Sequence, residues 1–241
     1  MYRCISCGAQ VQELYRQYSP TVLKIVKCEE CGEFADKYVE YDPVIVLVDM
    51  VLLDKAAYRH LLYNSNFKAY WKLVIILLLS ESFIRWSNKR QQFEESGQLM
   101  SFRSERNFYF ELNHTGLSLL SFVISVVLLT ELRWKILRSR PAKYRRLDLL
   151  KALVIGGCAK LLSLISIIWK QDDELEYQHL LIIGYSVLCL LTAYSVACDS
   201  GRVGSLAGLI AGLLAQDYVY NAIPDNYSAT TNVTLGQSQG Q

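Results

Sequence analysis

Two C-x-x-C pairs, Cys4-Ile5-Ser6-Cys7 and Cys28-Glu29-Glu30-Cys31, constrain this chain more than any other feature. Two residues between thiols let one tight turn aim both sulfurs at a single ion, and a second pair completes a tetrahedron. Gly8 and Gly32 follow the second cysteine of each pair. Glycine accepts the left-handed backbone that such a turn needs, which frees amide N–H groups to face the sulfurs. The expected ligands are therefore Cys4, Cys7, Cys28 and Cys31. The alternative is two disulfides; a redox use would need a thioredoxin-like βαβ setting, which the pattern lacks. Four thiolates leave no open coordination position, so the expected zinc is structural. Cys158, Cys189 and Cys198 lie in apolar stretches and read as small buried hydrophobes.

The chain has 241 residues, of which 52% are hydrophobic and 20% charged. Apolar residues collect in blocks after residue 43. The fold class expected is a small β zinc ribbon, then an amphipathic interface helix, then an all-α polytopic membrane bundle. Residues 1–42 form the ribbon, with strands at 22–26 and 34–40 and a turn at Pro20. Such a head has little core of its own and is held by the ion. Residues 43–66 form the interface helix, started by Asp42-Pro43. Asp49, Asp54, Lys55 and Arg59 make it too charged to span, so it lies in the bilayer interface or packs on the ribbon. Residues 67–220 form the membrane domain, and 221–241 a disordered lumenal tail. No cleavable signal peptide is expected ahead of Cys4, so an internal span must target the chain. A net charge of +2 makes no case for nucleic acid.

Five apolar blocks cover 70–86, 108–129, 147–169, 179–198 and 203–219. A span takes about 20 apolar residues, so about five spans are expected, four at minimum. Trp71, Trp86, Trp134 and Trp169 fall at block ends, where interfacial indoles belong. The last block is rich in Gly and Ala and suits close helix packing. Arg133, Lys135, Arg138, Arg140, Lys143, Arg145 and Arg146 crowd one loop and mark it cytosolic. The next loop, with Asp172, Asp173, Glu174 and Glu176, is then lumenal. Alternation puts the head in the cytosol, where thiols stay reduced. It puts the tail in the lumen, with glycosylation acceptor patterns at Asn226 and Asn232.

The stretch Cys4-x-x-Cys7, Leu14-Tyr15, Cys28-x-x-Cys31, Asp36-Lys37-Tyr38-Val39-Glu40-Tyr41-Asp42 and Ala57-Tyr58-Arg59-His60-Leu61-Leu62-Tyr63-Asn64 resembles the Arv family. The family name expands to ACAT-related protein required for viability. The strong resemblance covers about the first 64 residues; Glu81, Arg85-Trp86 and Lys160-Leu161-Leu162 are more loosely similar. It implies a multi-pass endoplasmic reticulum membrane protein of intracellular sterol transport and distribution and of sphingolipid homeostasis. The alternative it implies is an accessory subunit supporting early glycosylphosphatidylinositol anchor synthesis. The implied partners are membrane lipids (sterol, sphingolipid or glycosylphosphatidylinositol precursor) and endoplasmic reticulum lipid-synthesis enzymes. No chemical reaction comes with it, and the chain is expected not to be an enzyme.

Six further residues are candidates for lipid or partner contact. Glu81 and Arg85 are placed to pair at i, i+4 inside the first block, and ionisable groups at depth mark functional sites or helix staples. Lys160, after Gly156-Gly157, is placed to bind a lipid phosphate or to pair with Glu81, which would bring the first and third spans together. Lys55, Tyr58 and Leu61 fit a loose cholesterol-contact pattern. Arg59 and His60 face phospholipid head groups or the ribbon. His60, His114 and His179 are scattered and no phosphate loop is present, so no catalytic constellation is visible. A ubiquitin-ligase RING would need two metal sites where this head offers ligands for one.

Overall fold

The computed structural model describes residues 2–19, 22–95, 104–137, 144–168, 175–198 and 202–223. Strand β1 (Tyr2–Arg3) pairs antiparallel with β2 (Gln10–Val11), and β3 (Tyr15–Ser19) with β4 (Val22–Ile25). The second hairpin realises the strand expected at 22–26. The strand expected at 34–40 is absent. Phe34 makes one antiparallel bridge to Lys27, and the chain then enters a 3-10 turn, Lys37–Val39. Asp36 causes the switch: its side chain accepts the Tyr38 N–H at 2.9 Å and caps the turn.

The next segment is not one helix. Helix α1 (Pro43–Val51) starts on Asp42, whose carboxylate accepts the Val44 N–H at 2.9 Å, with Pro43 at the first position. It stops at Leu52, and Leu53 takes a left-handed φ of 64°. Asp54 then caps a second helix, α2 (Lys55–Arg59), by accepting the Ala56 N–H at 2.9 Å. An aspartate that takes a backbone N–H at a helix start cannot also continue the preceding helix, which explains the break. A π-helical turn, His60–Asn64, completes the segment. Ile5, Tyr38, Val46 and Ala57 pack into one small core, so ribbon, α1 and α2 form a single unit.

Within the described residues each apolar block falls on helix. Helices α3 (Tyr70–Glu95) and α4 (Ser104–Leu137) are followed by α5 (Arg146–Gly157), a 3-10 segment (Cys158–Leu161) and α6 (Leu162–Ile168); α7 (Leu175–Cys198) and α8 (Arg202–Ala222) complete the body. Around the body α3 lies beside α4, α4 beside α8, α8 beside α7, α7 beside α5, and α5 with its 3-10 segment beside α3. Among the described residues three helices are long and apolar enough to cross a membrane: Asn107–Ile136, Arg146–Ile167 and Leu180–Cys198. That is fewer than the five, or at least four, expected. Helix α3 carries Lys72, Glu81, Arg85, Lys89 and Arg90, and α8 carries Gln216 and Asp217. Trp71 is 63% exposed, but Trp134 is buried against Tyr144 with ring centroids 4.0 Å apart. Trp169, the acidic residues at 172–174, Lys143, and both Asn226 and Asn232 lie outside the described residues, as does most of the expected tail.

Candidate metal centre and its anchorage

The two cysteine turns are built alike. In the first, Cys4 N–H donates to the Ala9 carbonyl at 2.8 Å and Gly8 N–H to the Cys4 carbonyl at 3.0 Å. In the second, Cys28 N–H donates to Glu33 at 2.8 Å and Gly32 N–H to Cys28 at 2.9 Å. Gly8 and Gly32 have φ of 78° and 74°. Both positions thus require the left-handed backbone that glycine allows at no steric cost.

These turns bring the four Sγ atoms within 4.8 Å of one another. Cys4 Sγ is 3.7 Å from Cys31 Sγ, and Cys7 Sγ is 3.7 Å from Cys28 Sγ. A tetrahedron with zinc–sulfur bonds of about 2.3 Å has edges of about 3.8 Å. All four cysteines are free thiols, and their spacing is far beyond a disulfide bond of about 2.05 Å. Cys4 and Cys28 are buried while Cys7 and Cys31 are exposed, so the site opens on one side to solvent. Partial burial and the neighbouring sulfurs push the Cys7 thiol up to about 12. The backbone N–H of Cys31 pulls Cys28 down to about 7. Without a cation the cluster therefore keeps a proton on Cys7 beside a readily ionised Cys28. The donor set and its spacing fit a four-thiolate zinc ion.

A polar layer behind the sulfurs ties the ribbon to the helices. Arg59 Nη1 donates to the carbonyls of Ile5 and Ser6 at 2.7 and 2.6 Å, inside the first cysteine turn. Asp36 is fully buried and accepts from His60 Nδ1 at 2.7 Å, from Asn64 Nδ2 at 2.7 Å and from the Tyr38 N–H. Asn64 also accepts from the Arg3 N–H at 2.9 Å and donates to the Arg3 carbonyl at 2.7 Å. The Tyr38 hydroxyl donates to Asp49 at 2.7 Å, and burial is the main cause that raises its pKa far above the ordinary range. Arg59 and His60 thus direct these hydrogen bonds into the ribbon. Tyr58 is 2% exposed, inside the core shared with the body, so it offers no free face to a sterol. Sequence reasoning assigned no role to Asp36 or Asn64, although both sit in the two stretches that carried the resemblance. Those stretches belong together because they hydrogen-bond across the ribbon–helix junction.

The same unit is fastened to the body. The Tyr63 hydroxyl donates to the Val196 carbonyl at 3.4 Å, and Tyr185 donates to the Val51 carbonyl at 2.7 Å. Both partners lie on α7.

The membrane candidates meet as a group. Glu81 accepts from Arg85 at 2.9 and 3.2 Å and lies 3.6 Å from Lys160 Nζ. Lys160 sits in the 3-10 segment between α5 and α6, so the first and third apolar blocks touch there. Sequence reasoning missed the next layer. Arg85 stacks over Tyr220 at 4.1 Å, Tyr220 donates to the buried Glu111 at 2.9 Å, and Lys89 pairs with Glu111 at 3.0 Å. Three cations and two carboxylates from α3, α4 and the 3-10 segment, with Tyr220 of α8 among them, share this cluster.

Together these features define a class: a mainly helical protein with three helices long and apolar enough to cross a membrane, headed by a four-cysteine ribbon. A profile of the Arv1-like family matches residues 3–193, and the chain belongs to that family. It is 32% identical to mouse Protein ARV1, over 91% of this chain and 82% of that one. Against human Protein ARV1 the figures are 32%, 89% and 79%. Against Protein arv1 of Schizosaccharomyces pombe they are 25%, 90% and 85%. No solved structure matches the chain.

Proposed function

We propose that this protein acts without chemistry in lipid homeostasis of the endoplasmic reticulum membrane, moving or presenting sterols and sustaining sphingolipid balance. Membership of the Arv1-like family along residues 3–193 carries the reading. Three helices of membrane-crossing length and apolarity are consistent with it. In this reading zinc fills the four-thiolate site, the ribbon faces the cytosol, and α3 and α8 complete five spans beside the three more apolar helices. Glu81, Arg85 and Lys160 supply a polar station within the bundle, where charge is expensive unless it is used. A lipid phosphate would displace Lys160 from its 3.6 Å contact with Glu81 more easily than Arg85, which makes two closer ones.

Purified zinc-loaded protein in liposomes, assayed with labelled sterol and labelled glycosylphosphatidylinositol precursor in parallel, tests this. Protein-dependent movement of one lipid, reduced by Glu81→Gln or Lys160→Ala in folded protein, is the expected result. No movement of either from folded protein overturns it.

A second reading, an accessory subunit in glycosylphosphatidylinositol anchor synthesis, draws on α8. Its Gly208 and Gly212 are spent inside the chain: a Cβ on Gly208 would meet Tyr194 at 3.3 Å and one on Gly212 would meet Val126 at 2.5 Å. Its opposite face presents Leu206, Ile210, Leu214 and Tyr218, all exposed at a four-residue repeat. Stoichiometric co-purification of a partner in mild detergent, lost when that stripe is changed, is the result this reading requires.

A further inference from the structure

The ribbon carries a groove of about 690 Å³ on the face formed by β3, β4 and the segment before α1. Arg16, Lys24, Lys27 and Lys37 line it against one acid, Glu40. Register puts Arg16 directly opposite Lys24 across the hairpin. Neither Arg16 nor Lys37 is fully neutralised: the pair of Arg16 with Glu13 is well exposed, and Lys37 stands 3.9 Å from Asp49. Exposed rings stand among the cations, with Tyr18 at 67%, Phe34 at 50% and Tyr41 at 45%. Amphipathic rings beside cations are what a membrane–water boundary selects.

The groove runs out to Tyr41, one residue before the cap of α1. Past the exposed cap Asp42 the surface turns mainly apolar. Val44, Leu47, Val48 and Val51 on α1 and Leu52 at its end are between 50% and 72% exposed. A short helix that leaves this many large aliphatics uncovered is unsuited to water. Its last carbonyl, that of Val51, accepts from Tyr185 on α7, a helix of membrane-crossing character. The apolar face therefore adjoins α7, a helix long and apolar enough to cross a membrane.

We propose that this composite face docks on the bilayer, with α1 inserted among acyl chains and the four-cation groove seated on anionic phospholipid head groups. Charge complementarity fixes the occupant: Lys24 and Lys27, with Arg16 and Lys37 only loosely paired to Glu13 and Asp49, leave the groove net positive and seek phosphate or carboxylate head groups. Contact with α7 fixes where they come from, the leaflet beside the ribbon. Four basic residues among ring systems would also suit a single-stranded nucleic acid, but nothing in that reading accounts for the aliphatic face of α1. The proposal is independent of whether the body moves lipid, since the groove lies apart from the Glu81 cluster.

Full-length, zinc-loaded protein in nanodiscs of phosphatidylcholine alone, or with 30% (about a third) phosphatidylserine added, provides the test. Hydrogen exchange over residues 15–27 is expected to slow about fivefold or more in the anionic discs, and to return to the neutral-disc rate in Lys24→Glu/Lys27→Glu. Exchange over 43–52 stays slow in both discs. Zinc content of the variant, unchanged at one per chain, shows that its ribbon is folded. Equal exchange over 15–27 in the two discs for the wild-type protein overturns the proposal. So does protection that appears only when an RNA oligonucleotide is added.

Discussion

At the residue scale the buried carboxylate of Asp36 decides how the ribbon meets the helices. It serves a backbone N–H, an imidazole and an amide at once, each within 2.9 Å. Replacing it with Ala strands three donors in a dry junction. A loss of about 3 kcal/mol is expected, read by thermal unfolding, together with weaker zinc retention. Asp36→Asn keeps one acceptor oxygen and should cost less. The thiols set a second expectation. Zinc must displace the proton that Cys7 holds up to a pKa of about 12, while Cys28, near 7, is half ionised at neutral pH. Protons are therefore released on binding, and apparent affinity rises with pH, by about tenfold per unit for each proton released. Below pH 7 Cys28 also takes up a proton and the slope steepens. Calorimetry in buffers of different ionisation enthalpy counts these protons.

At the element scale, close approach is the theme. A Cβ on Gly156 would lie 2.9 Å from the Leu190 Cα and 3.2 Å from the Cys189 carbonyl oxygen, both backbone atoms of α7. Backbone cannot step aside as a side chain does, so Gly156→Ala should cost about 1–3 kcal/mol through forced separation of α5 and α7. Gly184, with nothing within 4 Å, is the control: alanine there should be neutral or slightly stabilising in the same melting experiment. The contrast also shows what could be read in advance. The cysteine turns were legible because spacing alone dictates their geometry. The body helices were legible because apolar runs have few other uses. The break at Leu52–Asp54 was hidden, because helical periodicity continues across it and only Asp54's choice of a backbone partner decides the outcome. The switch at Asp36 was hidden for the same reason. The Glu111–Tyr220–Arg85 layer was out of reach, since no spacing relates residues over 100 positions apart.

At the scale of the whole molecule, head and body are one cooperative object. Tyr58 and Leu62 belong to the same core as Val126, Leu149, Tyr194 and Leu209. Chelation should therefore do more than unravel the ribbon. Treating detergent-solubilised protein with a zinc chelator is expected to lower the melting temperature of the body helices and to open the segment 43–66 to protease. A body that melts unchanged after metal removal would show the two to be independent. The Cys28→Ser variant should behave like the chelated protein.

The fastening on α7 has a consequence for how the chain is made. Tyr63 and Val51 wait for partners 133 and 134 residues further along. At a synthesis rate of about 5–20 residues per second, that separation is a delay of roughly 7 to 27 s. Throughout it the ribbon can already be closed while the surface that α7 will cover stands open. The nascent protein thus passes through a stage in which the ribbon's cysteine turns can close but the seam to α7 is uncovered, and only arrival of the fourth apolar block seals it. A chain truncated before α7 would remain at that stage, exposing a surface that the finished molecule covers.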